Sequence, residues 1–116
     1  VAYMSVADVM LSPGAVGLGM MDAFVCETPM ITTDCGNHGP EIAYLENGII
    51  GVITTNDLTA YAGASVRLLR DARALDALRA GCAASAQEYT VENMAHRFAD
   101  GIARCLEAPR YTRRAG

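Results

Sequence analysis

Positive charge is scarce in this sequence. Lys and Arg number 9 against 13 Asp and Glu, for a net charge of −4 and a pI near 5.0. A general nucleic-acid binder needs a basic stripe, so that class is excluded. Long apolar runs are lacking too. No stretch reaches the roughly 18 consecutive apolar residues of a membrane span, and no signal peptide opens the chain. The 4 cysteines, Cys26, Cys35, Cys82 and Cys105, show neither C-x-x-C spacing nor a Cys/His cluster, so no zinc site is expected. Cys26 and Cys82 fall in apolar helical contexts, where a free thiol behaves as a small hydrophobe. A reduced, cytoplasmic chain is the simplest expectation, including one held peripherally at a membrane. Internal repeats and low-complexity segments are also missing.

What is present is a globular composition: 116 residues, 52% apolar and 19% charged, enough for one domain. The chain opens on "VAYMSVADV" without an initiator Met and is expected to be a piece of a longer protein. Three apolar runs have strand length: "ADVMLS" (7–12), "PMITTD" (29–34) and "GIIGVIT" (48–54). Between them, "GLGMMDAFVCE" (17–27) is apolar on nearly every side and reads as a buried helix. "GPEIAYLEN" (39–47) has Pro at a helix N1 position and an acid in the first turn. From Asn56 the pattern turns helical, with segments at 56–71, 71–89 and 90–108. The last carries Val91, Met94, Ala95, Phe98, Ile102 and Leu106 on one face. Strands alternating with helices predict an α/β fold: a partial, Rossmann-like doubly wound parallel sheet of about three strands, helices on both faces and a helical C-terminal tail. Residues 1–108 form the domain. Residues 109–116 read as an Arg-containing, solvated tail.

Open α/β sheets bind ligands outside the carboxyl ends of their strands. Three loops share that rim: "SPGAVG" (12–17), "TDCGNHG" (33–39) and "TTND" (54–57). The first two are rich in Gly and lead toward helix N-termini, where unpaired N–H groups favour an anion such as a phosphate. Asp22 sits a turn and a half into the helix after the first loop, among methionines and Phe24. A carboxylate buried there must meet donors. The helix dipole or a backbone N–H would serve; so would a vicinal diol such as a ribose, and the residues alone leave both open. Asn37 and His38, in the second loop, are candidates to face a phosphate or a sugar. Glu41 reads as a first-turn acid, Asp34 as a turn starter and His96 as a surface residue.

Taken together, "ADVMLSPGAVGLGMMDAFVCETPMITTDCGNHGPEIAYLENGIIGVIT" resembles the C-terminal nucleotide-sugar-binding half of glycosyltransferase family 4 (glycosyl transferases group 1), of the GT-B fold. The shared features are the "ADV" strand, a Gly-Leu helix start, an acid four residues after that Leu, a "TPxITTD" strand, a "GPEI" turn and an "ENG" step. Their order and spacing match over about residues 6–54. In that family a Glu is followed, after seven residues, by a second Glu. Gly14 stands at the first position and Asp22 at the second. The resemblance implies that Asp22 binds the donor's ribose hydroxyls and that the backbone of Val16, Gly17 and Leu18 faces the diphosphate. The first acid contacts the transferred sugar; Gly14 supplies no carboxylate there, and the loop is similar to a "PGxVGL" branch of such enzymes.

The function so implied is transfer of a sugar, with retention, from a nucleotide-sugar donor to an acceptor saccharide or other hydroxyl acceptor. The acceptor would be held by an N-terminal domain outside this sequence, and the piece alone is not expected to turn over. No catalytic residue is assigned within it. No D-x-D or other metal cluster stands in the sequence, so no metal and no cofactor is expected, the nucleotide sugar being substrate. Two other classes fit the same pattern: a non-catalytic module of this shape, and a nucleotide-sugar epimerase on a similar scaffold.

Overall fold

The computed structural model describes residues 2–109. The Arg-containing segment 110–116 lies outside the described residues. Three strands, β1 (Met10–Ser12), β2 (Met30–Asp34) and β3 (Gly51–Thr55), form one parallel sheet in sequential order. Met10, Leu11 and Ser12 pair with Met30, Ile31 and Thr32, and β2 pairs along its whole length with β3, from Met30–Gly51 to Asp34–Thr55. The helices are α1 (Gly19–Val25), α2 (Leu58–Arg70), α3 (Ala72–Glu88) and α4 (Val91–Glu107), with 3-10 turns at Met4–Val6 and Pro40–Tyr44. This is the α/β arrangement expected from the alternation of strands and helices.

The central strand has its first four residues buried, as a strand of a parallel sheet covered on both faces must be. Its side chains alternate between two cores. Met30 joins Val16, Met20, Phe24, Leu45, Ile50 and Cys82 on the α1 side. Ile31 joins Tyr61 and Leu68 of α2, with Leu75 and Leu78 of α3, on the other. Each fully buried side chain of this size contributes about 1.5–3 kcal/mol relative to exposure. The three long helices start where their caps say they should. Asp57, Asp71 and Thr90 each accept, through the side chain, the N–H three residues on, satisfying one of the orphan donors of a helix start.

Four expectations are corrected. The first strand is three residues long, because only Met10–Ser12 pair with β2. The run "GIIGVIT" conceals a turn: Gly48 has φ 81°, Ile50 N–H bonds back to the Glu46 carbonyl, and β3 begins only at Gly51. Residues 40–44 wind as a 3-10 helix, with Leu45 N–H reaching the Ile42 carbonyl. Helix α1 is not buried all round. Met20, Ala23 and Phe24 face the core, whereas Leu18, Asp22 and Val25 are exposed.

Helix α4 shows the predicted apolar stripe, yet its large members are exposed, Phe98 at 71% and Leu106 at 82%. A cleft of about 450 Å³ runs between Tyr44, Tyr89, Met94 and Phe98. No helix of the described residues is long and apolar enough to cross a membrane.

The chain leaves α1 through Glu27, a non-glycine residue at φ 52°. Thr28 N–H bonds to the Ala23 carbonyl and Glu27 N–H to that of Phe24, closing the helix as a left-handed C-terminal turn. A side chain in that region costs about 1–2 kcal/mol, and glycine's extra chain entropy offsets part of the relief. Glu27→Gly is therefore expected to stabilise the chain by about 0.5–1 kcal/mol, seen as a higher urea midpoint at unchanged m-value. A midpoint that falls would show that the Glu27 side chain supports the turn.

Candidate functional site

The rim of the sheet is built from β1, β2 and the loops that follow them. Two threonine hydroxyls of β2 fasten the first loop: Thr32 Oγ1 donates to the Gly14 carbonyl at 3.2 Å and Thr33 Oγ1 to the Pro13 carbonyl at 3.4 Å. The second loop fastens it again at Val16. The Val16 N–H donates to His38 Nδ1 at 3.2 Å, and Gly39 N–H donates to the Val16 carbonyl at 3.0 Å. Val16 itself is 2% exposed, its side chain in the α1-side core. Beneath the rim, Tyr61 Oη donates to the Ile31 carbonyl at 3.2 Å, and burial pushes its hydroxyl pKa up, offset in part by a backbone hydrogen bond at Ser12. A hollow of about 180 Å³ opens among Pro13, Thr33, Asn56, Asp57, Leu58 and Tyr61, so the third rim loop lies beside the first.

The expected role of Val16 requires correction. Its amide is already engaged by His38, so it does not face outward as a free donor. The amides of Gly17, Leu18 and Gly19 have no acceptor among the described residues. They precede or open α1, which has no side-chain cap, and Gly17 and Leu18 are exposed. Unpaired N–H groups at a helix start attract an anion.

Asp22 is likewise corrected in part. It lies in the first turn of α1 but is exposed, with no ion pair among the described residues. The desolvation argument for an obligatory partner therefore falls away. What stands is an unpaired carboxylate on the outward face of the helix whose start carries the free amides.

Gly14 is held by its carbonyl, and a Cβ built on it meets nothing within 4 Å. His38 is half-buried, with Nε2 at 3.6 Å from Cys35 Sγ. Asn37 is exposed, in a loop whose Gly36 has φ 67°. Glu41 lies in the first turn of the 3-10 helix, and His96 is on the surface of α4. The geometry thus brings Gly14, Val16 and His38 into one bonded unit, and leaves Asp22 and Asn37 outside it. Thr32, Thr33 and Cys35 are the rim residues that sequence reasoning passed over. The adjacent hydroxyls of "TTD" at a strand's carboxyl end are the available signal. Cys82 is inert by comparison: burial first, then the Glu27 charge, pushes its thiol up to about 11.

No family model matches the chain, and no curated protein matches it significantly. Among solved structures, the fold is similar to that of Anabaena HepE in complex with UDP. The TM-score is 0.70 at 18% sequence identity, over 88% of this chain and 29% of that one. At this identity the likeness shows a shared fold, the Rossmann-like α/β sheet described above, and the chain spans 29% of that neighbour's length.

Proposed function

We propose that this chain holds the diphosphate and ribose of a nucleotide-sugar donor, as the donor-side part of a retaining sugar transferase. The observation that carries the reading is the loop after β1. It is fixed by four hydrogen bonds with β2 and the following loop, and it presents the Gly17, Leu18 and Gly19 amides, unbonded among the described residues, at a helix start. A rigid set of donors costs no reorganisation when charge develops on a leaving diphosphate, which is where such a reaction needs stabilisation. The neighbouring fold's complex with UDP supports the same ligand class. In this reading Asp22 accepts the ribose hydroxyls, Asn37 and His38 line the second loop, and the acceptor, a saccharide or other hydroxyl compound, is bound by an N-terminal domain. The transition state is oxocarbenium-like.

Gly14 favours a second reading, a module that keeps the shape and binds without catalysis, since no carboxylate stands where the transferred sugar would lie. One titration series addresses the ligand class. The native polypeptide carrying residues 1–116 is titrated with UDP, GDP and ADP and with the matching nucleosides. One nucleoside diphosphate is expected to bind saturably and at least about tenfold tighter than its nucleoside, the worth of one charge-assisted hydrogen bond. Binding of none, or equal binding of nucleoside and diphosphate, removes the proposal. Turnover of the bound nucleotide sugar then separates transferase from inert module.

A further inference from the structure

Four hydrogen bonds fix the loop after β1, and three of them join groups that do not titrate: two threonine hydroxyls and the Gly39 amide, each on a backbone carbonyl. The fourth is different in kind. The Val16 N–H donates to His38 Nδ1 at 3.2 Å, so Nδ1 must carry a lone pair and the ring proton must sit on Nε2. Cys35 Sγ lies beside the ring, 3.8 Å from Nδ1 and 3.6 Å from Nε2. With Gly39 N–H returning to the Val16 carbonyl at 3.0 Å, the two loops close on each other through one residue. Val16 is anchored below by its buried side chain, in the same core as Met20 and Phe24 of α1. Its amide is the one immediately before the free donors of Gly17, Leu18 and Gly19.

We propose that His38 is a positioning residue: its neutral, Nε2-protonated ring holds the Val16 amide and so aims the Gly17–Gly19 amides at the diphosphate. The role rests on the donor-site reading above. It differs from a direct contact between His38 and phosphate, because the ring acts through Val16. An imidazolium carries N–H on both nitrogens, so Nδ1 and the Val16 amide become two donors facing each other. The titratable group beside the ring is Cys35 on the same loop. Asp34, Glu41 and, on α1, Asp22 make no ion pair with it among the described residues, and none of these acids stands ready to hold the cation in place.

The test uses ¹⁵N-labelled protein and two variants. Asn places its Oδ1 near the position of Nδ1 and accepts a hydrogen bond without titrating; Leu accepts none. Nitrogen shifts are expected to report a bare Nδ1 and a protonated Nε2. His38→Leu should raise Val16 amide exchange about tenfold or more, whereas His38→Asn keeps it protected. UDP affinity should fall about tenfold in His38→Leu and stay near the wild-type value in His38→Asn. A proton found on Nδ1, or Val16 exchange unmoved in His38→Leu, overturns the clasp whatever UDP does. A clasp lost in His38→Leu with UDP affinity unchanged overturns its positioning role. An intact clasp with no nucleotide bound by any form overturns the donor-site reading and, with it, that role.

Discussion

Phe24→Ala is expected to destabilise the chain by about 3–5 kcal/mol, the range for emptying a large aromatic from a packed core. Phe24 is 1% exposed, and its ring stacks on Tyr89 with centroids 5.9 Å apart. Tyr89 in turn lies against Tyr44 at 4.8 Å. The residue therefore ties α1 both to the α1-side core and to the end of α3. Little can collapse into the space, because Met20, Met30 and Leu45 already occupy its edges. Small domains have about 5–15 kcal/mol in total, so thermal unfolding followed by circular dichroism should show a midpoint lower by more than about 10 °C. Val25, on the same helix but 72% exposed, is the control: Val25→Ala should change stability by less than about 0.5 kcal/mol. A loss below about 1 kcal/mol for Phe24→Ala would mean that α1 is not packed as described. The rim would suffer as well, since Val16 shares that core and hands its position on to the Gly17–Gly19 amides.

Much of this was legible in the residues, and the gaps have physical causes. Asp71 and Thr90 announced the starts of α3 and α4, because a side-chain cap is a local interaction between neighbours in sequence. The segment expected from Asn56 is capped one residue on: Asn and Asp cap almost equally well, and the bond is made by Asp57. Hydrophobic runs misled where backbone geometry overrules side-chain character. Ile49 and Ile50 look like strand, but the positive φ of Gly48 commits them to a turn. The periodicity of α4 identified a face correctly and said nothing about cover, which is why Val91, Met94, Phe98, Ile102 and Leu106 are exposed rather than core. At the rim, spacing placed Gly14, Val16 and His38 on neighbouring loops. That the Val16 amide is spent on His38 is a contact across 22 residues, and no local pattern encodes it. The apolar neighbours of Asp22 suggested burial; α1 has only one covered face, and Asp22 lies on the other.

The exposure of Asp22 sets up the second large effect. An acid that is already solvated, and unpaired among the described residues, waits at no desolvation cost, and its two oxygens can accept from both hydroxyls of a ribose. If it does so, Asp22→Ala should weaken UDP binding by about ten- to hundredfold, the worth of one or two hydrogen bonds to a charged acceptor after exchange with water. The loss should concentrate on the sugar. Wild type would bind UDP better than 2′-deoxy-UDP, and the variant would bind the two almost alike. The bland alternative, an acid that only complements the dipole of α1, predicts the opposite sign. Removing a negative charge from the first turn of the helix whose amides are proposed to meet a diphosphate relieves repulsion, so the variant would bind UDP more tightly, most visibly at low salt. Isothermal titration of both proteins with both nucleotides at two ionic strengths separates these outcomes. A variant that binds equally or better, with its 2′-hydroxyl preference intact, takes the ribose role away from Asp22 and leaves the diphosphate to the amides alone.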